Sequence, residues 1–329
     1  MKKLLSLLLS AGMVFSLAAC GNKDAENAST TEENKDQFKI SVIQLVQHEA
    51  LDKAYEGFVE GLKENGFVEG ENIKIDYQNC GGDQANCITV SDKFVNGGSD
   101  LILAIATPAA QAISSKTAEI PILATAVTDF ESAKLTAQNV SGTSDMAPVG
   151  KQIELLKQLC PEAKTVGMLY CSSEANSKFQ VSLATKACEE IGLEAKNFTV
   201  SNTSEVKQVV ESMAGKVDAI YVPCDNVIAS SMATVSDVAT TAKTPVIVAE
   251  EGPCKNGGLA TYGLNYYNLG KQTAAQAAKI LKGEAKVSEL PVEFLEETDL
   301  FINEDIANAL GMEIPEELAK NATMVKLSK

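Results

Sequence analysis

The chain has 329 residues and a formal net charge of −16, with 28 basic residues that are all lysine, no arginine and no tryptophan. A surface this acidic repels nucleic acid and anionic lipid headgroups, so neither is expected as a binding partner. The missing arginine also removes the side chain that most often clamps a carboxylate or phosphate in a bidentate fork.

The first 19 residues have the layout of a secretory signal peptide. Two lysines precede an apolar run over residues 4–17, which is shorter than the roughly 20 apolar residues that span a bilayer. The run ends in Leu17-Ala-Ala-Cys20, a sequence that resembles a lipobox. It predicts that residues 1–19 are removed and that Cys20 carries a lipid anchor. We therefore expect a protein held at the cell membrane by lipid and facing the outside, in the extracellular space or the periplasm.

A polar stretch follows the predicted anchor. Residues 21–36 contain no large apolar side chain, and such a composition cannot bury enough surface to fold. Residues 20–37 are therefore predicted to form a disordered tether that holds a folded body away from the membrane.

From residue 38 onward, short apolar runs rich in β-branched residues alternate with longer, helix-like segments. The predicted strands cover residues 39–46, 73–77, 101–106, 122–126, 165–170, 195–200, 219–223, 246–249 and 299–303. The predicted helices cover residues 50–65, 84–96, 109–117, 150–159, 176–191, 204–214, 228–242 and 266–281. Strands that are apolar on both faces and alternate with helices indicate a parallel sheet covered on both sides.

This order of elements occurs twice, first over residues 39–126 and again over residues 165–249. The repetition predicts an α/β fold of two doubly wound parallel-sheet lobes, joined by a hinge of several strands. Lobe 1 is expected over residues 38–144 and about 263–290, and lobe 2 over residues 145–262 and about 291–329. Because ligands bind beyond the carboxyl ends of the strands in such sheets, the sequence predicts a small-molecule site in the cleft between the lobes.

Six short motifs give the chain a close resemblance to one family. They are Gln44-Leu-Val-Gln-His-Glu-Ala-Leu-Asp52, Gly57-Phe-Val-Glu-Gly-Leu-Lys-Glu-Asn-Gly66, Ile105-Ala-Thr-Pro-Ala-Ala-Gln111, Ser172-Ser-Glu-Ala-Asn-Ser177, Val222-Pro-Cys-Asp-Asn226 and Ala260-Thr-Tyr-Gly263. Over residues 39–315 the chain resembles the substrate-binding lipoproteins of ABC transporters with the type I periplasmic-binding fold. Within them it is most similar to the group whose better-known members bind tryptophan and other aromatic amino acids.

This resemblance implies a protein that captures a small molecule, an aromatic amino acid in particular, and delivers it to an ABC permease with a cytoplasmic ATPase. It implies neither catalysis nor a cofactor. The chain contains no Gly-x-x-x-x-Gly-Lys-Ser/Thr phosphate loop, as expected if a partner protein hydrolyses ATP. The family commonly has Asn and Thr at two positions where this chain has Cys171 and Cys224, which leaves the identity of the ligand open.

Polar residues that follow predicted strands are the candidates for ligand contacts. In lobe 1 these candidates are Gln47, His48, Thr107, Pro108, Thr125 and Thr128. A threonine hydroxyl beside the positive end of a helix binds anions, which describes Thr107-Pro108, although a plain helix cap is the alternative. Thr125 or Thr128 could share the same anion. His48 lies just past the first strand, where a cleft position and a surface loop are both open.

In lobe 2 the corresponding candidates are Ser172, Ser173, Asn176, Asp225, Asn226, Glu250 and Tyr262. Asp225 occupies the position equivalent to Thr107, and a carboxylate there suits an ammonium group unless it only caps its helix. Glu250 and Glu251 are neighbours on an extended strand and point apart, so only one of them is expected to face the cleft. Tyr262 could stack on an aromatic ring, although packing in the core is the commoner role of a strand tyrosine.

The cysteines and the single histidine limit the metal and disulfide chemistry. Seven cysteines remain after Cys20, an odd number that cannot pair completely. Cys80 and Cys87 flank a short loop that a disulfide could close. A lone histidine and the lack of paired Cys-x-x-Cys spacing argue against a zinc site, so no metal is predicted.

Other functions compete with transport. The same fold could present its ligand to a signalling receptor as an extracellular sensor, and the sequence does not separate the two roles. A sugar ligand is less suited to a chain without tryptophan or arginine, because sugar sites use aromatic platforms and planar charged groups. An enzyme is not expected, since the chain has no nucleophile elbow, catalytic triad pattern or metal set.

Substituting the predicted acylated cysteine tests the anchor. Cys20→Ala removes the thiol that carries lipid, so the protein should leave the membrane fraction or accumulate as the uncleaved precursor. Cell fractionation with mass measurement of the intact chain distinguishes these forms. A cleaved Cys20→Ala protein that stays in the membrane fraction would contradict the lipobox interpretation.

Overall fold

The structure, a computed structural model, describes residues 37–295 and 297–328. In chain order its strands are β1 (Phe38–Gln44), β2 (Ile73–Asn79), β3 (Leu101–Ile105), β4 (Ile122–Val127), β5 (Val140–Ser144), β6 (Thr165–Cys171), β7 (Glu194–Val200), β8 (Ala219–Val222), β9 (Val246–Val248), β10 (Ala260–Gly263), β11 (Glu293–Phe294), β12 (Asp299–Asn303) and β13 (Thr323–Val325). Its α-helices are α1 (Glu49–Glu64), α2 (Gln84–Asn96), α3 (Thr107–Ser114), α4 (Val149–Leu159), α5 (Ala175–Glu190), α6 (Val206–Met213), α7 (Asn226–Ala229), α8 (Met232–Thr241), α9 (Glu251–Lys255), α10 (Tyr266–Leu281), α11 (Glu304–Leu310) and α12 (Glu316–Asn321).

The predicted signal peptide, the anchor at Cys20 and the tether up to residue 36 lie outside the described residues. Within the part of the chain that the structure does describe, no helix has the length and apolar character needed to cross a bilayer.

Two separate sheets organise the elements into two lobes. Lobe 1 holds the sheet β11-β5-β4-β3-β1-β2, whose pairings are parallel. Lobe 2 holds the sheet β13-β12-β10-β9-β8-β6-β7, in which β12 runs antiparallel to β10 and the other pairings are parallel. Strands β1–β5 and β6–β10 each have the doubly wound order 2-1-3-4-5. The predicted α/β fold of two doubly wound lobes is confirmed.

The chain passes between the lobes after β5, after β10 and after β11. The third passage, predicted near residue 291, falls later in the structure because Glu293 and Phe294 still pair with Thr143 and Ser144 of β5. Lobe 1 therefore extends a few residues beyond its predicted end. Each lobe is assembled from segments that are discontinuous in sequence.

One predicted helix is divided in two. The segment predicted over residues 228–242 consists of α7 and α8, with Ser230 and Ser231 between them. Ser230 Oγ donates a hydrogen bond to the carbonyl of Val227 at 2.9 Å. A side-chain bond of this kind competes with the helical backbone and favours a helix end.

The central strands of both sheets are buried on both faces. Every residue of β3 and β4 is buried, and so is every residue of β8 and β9. Such strands have continuous apolar sequences because helices cover both faces of a parallel sheet. The polar residues that follow these strands are consequently the first ones free to contact a ligand.

Cys80 and Cys87 are free thiols in this structure. Both are buried, one just after β2 and the other in the first turn of α2. The disulfide considered for this pair is therefore not formed in this structure.

Helices α1 and α10 pack so closely that glycine is required where they cross. A Cβ on Gly270 would lie 2.0 Å from the carbonyl oxygen of Ala54, and one on Gly57 would lie 1.9 Å from that of Tyr267. Both distances are far inside van der Waals contact. Because α1 and α10 both begin at the cleft, this crossing also positions residues that line it.

An alanine at this crossing should destabilise the protein. Gly270→Ala should lower the free energy of unfolding by about 1–3 kcal/mol, because the added methyl group forces the two helices apart. In the control Gly150→Ala, the new Cβ on α4 would meet no atom within 4 Å, so stability should be unchanged or slightly raised. Urea unfolding followed by circular dichroism measures both variants. A Gly270→Ala protein as stable as wild type would contradict this packing.

Candidate functional site

An inner cavity lies in the cleft where the carboxyl ends of strands from both sheets meet. Its volume is about 10 Å³, which is room for about one water-sized group. Its lining comes from both lobes and from the passages between them: His48, Leu51, Ala126, Asp145, Asn176, Cys224, Asn226, Glu250 and Tyr266. Four of these, His48, Asn176, Asn226 and Glu250, are among the predicted site residues.

Four carboxyl groups are buried at this cavity. Asp145 and Glu250 line it, while Glu174 and Asp225 lie behind its lobe 2 wall, and each exposes 4% of its surface or less. No lysine is among the residues that line the cavity, and the chain has no arginine. Burying a carboxylate without a cationic partner costs free energy. The cavity therefore favours a positively charged ligand.

Glu250 is the carboxyl group of this cluster that keeps a free oxygen. It follows β9, and its Oε2 atom is buried without a hydrogen-bond partner. Burial raises the pKa of Glu250 well above its usual range, and the negative charges of the other three carboxyl groups raise it further. The neighbouring Glu251 instead pairs with Lys255. Glu250 is therefore the carboxyl group that a cationic ligand would contact.

Asp145 is held by two hydroxyl groups. Its Oδ1 atom accepts a hydrogen bond from Thr128 Oγ1 at 3.0 Å, and its Oδ2 atom accepts one from the Tyr266 hydroxyl at 2.7 Å. Burial raises the pKa of Asp145 above its ordinary value. Asp145 and Tyr266 are missing from the predicted site because both follow passages between the lobes, where the sequence indicates only a hinge. A polar or aromatic residue directly after such a passage is the signal that could have found them.

Asp225 does not line the cavity. Its carboxylate accepts hydrogen bonds from the backbone N–H of Cys171 at 2.6 Å, from the Ser177 hydroxyl at 2.7 Å and from the backbone N–H of Ile228 at 2.9 Å. These bonds cap α7 and tie it to β6. The helix-cap interpretation thus describes Asp225, and of the two acids among the predicted site residues only Glu250 lines the cavity.

Glu174 is not among the predicted site residues, yet it organises the lobe 2 wall of the cavity. Its carboxylate accepts hydrogen bonds from Asn176 Nδ2 at 2.9 Å, Asn226 Nδ2 at 2.5 Å and the backbone N–H of Val227 at 3.1 Å. Burial, together with the charge of Asp225, raises the pKa of Glu174 to about 8. These bonds fix the amide orientation of both asparagines.

Side chains of the two lobes contact each other across the cleft. His48 Nε2 lies 3.2 Å from Asn226 Oδ1, and Gln180 Nε2 donates to Thr128 Oγ1 at 3.0 Å. Desolvation lowers the pKa of His48, so its ring is neutral at pH 7. The other ring nitrogen, Nδ1, is buried and has no partner. The two lobes are therefore in a closed arrangement around the cavity.

Thr107 has a buried hydroxyl group without a partner. It lies in the first turn of α3 with Pro108, directly after Ala106, whose φ of 84° is unusual for a residue other than glycine. Thr125 instead shares a hydrogen bond of 2.9 Å with Thr143 inside lobe 1. Because Thr128 donates to Asp145, Thr107 is the predicted threonine whose hydroxyl has no partner within the protein. It lines neither cavity in this closed arrangement.

A second, outer cavity of about 330 Å³ opens at the mouth of the cleft. It shares Asn226 with the inner cavity and includes Pro108 and Ser173 of the predicted site. Its walls combine apolar side chains with polar turn residues: Leu45, Val46, Gly81, Gly82, Asp83, Gln84, Pro108, Ser173, Glu174, Ser201, Asn202, Thr203, Asn226, Val227 and Ser230. The two cavities are therefore neighbouring chambers of one cleft.

Seven predicted residues line neither cavity: the buried Thr107, Thr125, Thr128 and Asp225, and three others, Gln47, Ser172 and Tyr262. Gln47 and Ser172 are exposed, and Ser172 Oγ donates to the carbonyl of Val200 at 3.3 Å. Tyr262 packs, partly buried, against the core of lobe 2. The structure gives none of the three a place beside a ligand in this cleft, and for Tyr262 the core alternative is the one observed.

The chain matches known proteins of one family. The model of the ABC transporter substrate binding protein family matches residues 39–326. A tyrosine-binding protein of Clostridioides difficile (strain R20291) is 42% identical over 322 residues, which cover 95% of this chain and 93% of that protein.

Two solved structures superpose on this chain to different degrees. The ABC domain from Streptococcus pneumoniae in complex with L-Trp is 40% identical and has a TM-score of 0.85, covering 88% of this chain and 99% of that chain. The ligand-free, open structure of a substrate-binding protein with adhesive properties from Clostridium difficile is 46% identical but has a TM-score of 0.67, covering 88% of this chain and 100% of that chain. The lobes are thus arranged more as in the L-Trp complex than as in the open protein.

The buried carboxyl groups predict how stability depends on pH. The pKa of Glu174 is raised from 4.5 to about 8 in the folded protein. Stabilisation by its neutral form is therefore fully present below about pH 4.5 and is lost as the pH rises through about 8. The free energy of unfolding of the ligand-free protein should fall between about pH 5 and 8, by at most about 1.4 kcal/mol per pH unit for one group.

Urea unfolding at a series of pH values measures this slope. Glu174→Gln removes the ionisable group and should make the slope shallower. Glu190→Gln, at the exposed far end of α5, is the matched control and should keep the wild-type slope. A ligand-free wild-type protein that becomes more stable between about pH 5 and 8 would contradict the burial of neutral carboxyl groups.

Proposed function

Because the chain belongs to the ABC transporter substrate-binding protein family, we propose that its cleft captures an aromatic amino acid outside the cytoplasm and passes it to an ABC permease with a cytoplasmic ATPase. The family is a ligand-binding component of transport and not a class of enzymes. The observation that carries the choice of ligand is the unpartnered carboxyl oxygen of Glu250 in a closed cavity whose lining contains no lysine. An α-ammonium group supplies the missing charge and donors.

The two charges of an amino acid find different partners in the cleft. The ammonium group is assigned to Glu250 in lobe 2, where a charge-assisted hydrogen bond is about twice as strong as a neutral one. The carboxylate is assigned to the unpartnered hydroxyl of Thr107 and the positive end of α3 in lobe 1. A ligand held in this way contacts both lobes, so it stabilises the closed arrangement relative to the open one.

The side chain of the ligand needs more space than the inner cavity provides. That cavity has a volume of about 10 Å³, far below the range of about 300–1,000 Å³ typical of ligand pockets. The adjacent outer cavity adds about 330 Å³, with Leu45, Val46 and Pro108 in its apolar wall. We assign the ammonium group of an aromatic amino acid to the inner cavity and its ring to the outer one.

Two relatives support an aromatic ligand. The Clostridioides difficile protein is named for tyrosine binding, and the Streptococcus pneumoniae structure contains L-Trp. Both are at least 40% identical to this chain. Anchoring through Cys20 and the tether of residues 20–37 would hold the binding lobes beside the permease.

Release of the ligand requires the lobes to separate. In the closed arrangement Lys255 Nζ of lobe 2 lies 3.3 Å from Glu49 Oε1 of lobe 1. Gly252 allows this approach, because a Cβ there would lie 3.1 Å from the Glu49 Cβ. An ion pair that is about one-third exposed contributes little to stability. This contact at the rim of the cleft therefore does not prevent the lobes from separating.

Calorimetry with L-tyrosine, L-tryptophan, L-phenylalanine and L-leucine on the purified protein tests the proposal. At least one aromatic amino acid should bind more tightly than leucine. Glu250→Gln and Thr107→Val should each weaken that binding by about 10-fold to 100-fold, because each removes a hydrogen bond to a charged group.

Two surface variants serve as controls for this experiment. Glu190→Gln changes an exposed carboxylate and Ser115→Ala an exposed hydroxyl at the other end of α3, and both should bind like wild type. The proposal is wrong if the wild-type protein binds no aromatic amino acid. The site assignment is wrong if Glu250→Gln and Thr107→Val both retain wild-type affinity.

A further inference from the structure

Three buried hydrogen-bond acceptors without donors belong to residues that line the inner cavity: Glu250 Oε2, His48 Nδ1 and Asn176 Oδ1. A primary ammonium group carries three N–H donors and no acceptor. Building on the proposed function, we propose that the inner cavity recognises the primary ammonium group by itself, so that aromatic primary amines without a carboxylate are a second class of ligand.

His48 is fixed as an acceptor by its neighbours. Asn226 Nδ2 donates to Glu174, which leaves Asn226 Oδ1 to accept a hydrogen bond from His48 Nε2–H at 3.2 Å. Burial in the cleft lowers the pKa of His48, so the ring is neutral at pH 7. A neutral imidazole with its proton on Nε2 presents a lone pair at Nδ1. The unpartnered Nδ1 atom is therefore available to an N–H group of a ligand.

Asn176 is oriented as an acceptor by two further bonds. Its Nδ2 atom donates to Glu174 Oε2 at 2.9 Å and to the carbonyl of Cys224 at 2.8 Å. Exchanging the amide nitrogen and oxygen would place an acceptor against both of these acceptors. The Oδ1 atom thus remains unpaired beside the cavity, and Glu174 acts as a positioning residue for both asparagines of the wall.

The acidic residues around the cavity stabilise the ammonium group of a ligand more than its carboxylate. Asp145, Glu174, Asp225 and Glu250 are all buried here, and the lining contains no lysine. The carboxylate of an amino acid is assigned to the Thr107 hydroxyl and the first turn of α3, where Pro108 has no backbone N–H to contribute. Losing the carboxylate should cost about one charged hydrogen bond, whereas losing the ammonium group leaves buried acceptors and carboxyl groups without a cation.

A matched set of tyrosine analogues separates these contributions by calorimetry at pH 7. Tyramine, which lacks the carboxylate, should bind about 10-fold to 100-fold more weakly than L-tyrosine. 3-(4-Hydroxyphenyl)propanoate, which lacks the amine, should bind about 1,000-fold more weakly or not at all. N-Methyl-L-tyrosine has one N–H fewer and should lose at least about 10-fold in affinity. If another aromatic amino acid binds more tightly, its own amine, deaminated acid and N-methyl derivative are used.

Two variants connect these affinities to the assigned residues. Thr107→Val should lower the affinity for L-tyrosine to that for tyramine and leave the affinity for tyramine unchanged. Glu250→Gln, which keeps the size of the side chain, should weaken both ligands by about 10-fold to 100-fold. A Glu250→Gln protein that unfolds with a wild-type urea midpoint shows that lost binding is not lost folding.

The outcomes distinguish this inference from the proposed function. If L-tyrosine binds and tyramine does not bind at 1,000-fold higher concentration, the inference is overturned and the amino-acid function stands. Loss of the preference for primary over N-methylated amine would also overturn it. If tyramine binds while no amino acid does, the proposed function is wrong and recognition of the amine stands.

Discussion

Four carboxyl groups are buried where the two lobes meet, and the rest of the site depends on how each of them is stabilised. Burying a carboxylate without a counter-ion costs several kcal/mol, so hydrogen bonds or a proton must offset the charge. Asp145 has two hydroxyl donors, Asp225 has two backbone N–H groups and a hydroxyl, and Glu174 has amide and backbone donors. Glu250 keeps a free oxygen. The cation of a ligand therefore relieves the largest remaining cost at Glu250.

In the proposed function, the same cluster would couple ligand binding to closure of the cleft. Glu174 orients Asn176, which faces the inner cavity, and Asn226, which reaches His48 in the other lobe. The negative charges of Asp145, Asp225 and Glu174 raise the pKa of Glu250, so in the proposed complex a cation at Glu250 would offset the repulsion within the cluster. The contact between the lobes and the ligand site thus share residues. A bound cation favours closed lobes through this network, without a separate switch.

The fold follows from local pattern, whereas the details of the site follow from packing. Buried parallel strands such as β3 and β4 are continuous apolar runs, and these are visible in the sequence. Strand β5 is not, because Val-Ser-Gly-Thr-Ser has no such run; its Gly142 is needed because a Cβ there would lie 1.8 Å from the carbonyl oxygen of Ala124. The rule of polar residues at strand ends locates His48 and Glu250. This rule does not distinguish Asp225 from Glu250, because each follows a strand and precedes a helix. Only the folded structure shows that hydrogen-bond donors of the protein satisfy Asp225 and leave one oxygen of Glu250 without a partner.

Cys171 and Cys224, the two cysteines that depart from the pattern of the resembled family, lie in different surroundings in the fold. Cys171 ends β6 and packs in the core of lobe 2, where its thiol lies 3.2 Å from Ser173 Oγ. Cys224 instead lines the inner cavity beside Glu250 and lies 3.8 Å from the Tyr266 hydroxyl. The resemblance implies threonine at this second position, and a hydroxyl is a stronger hydrogen-bond donor than a thiol. In the proposed complex, Glu250 would receive less stabilisation from a thiol and depend more on the cation of its ligand, so Cys224 is the departure that we expect to bear on ligand preference.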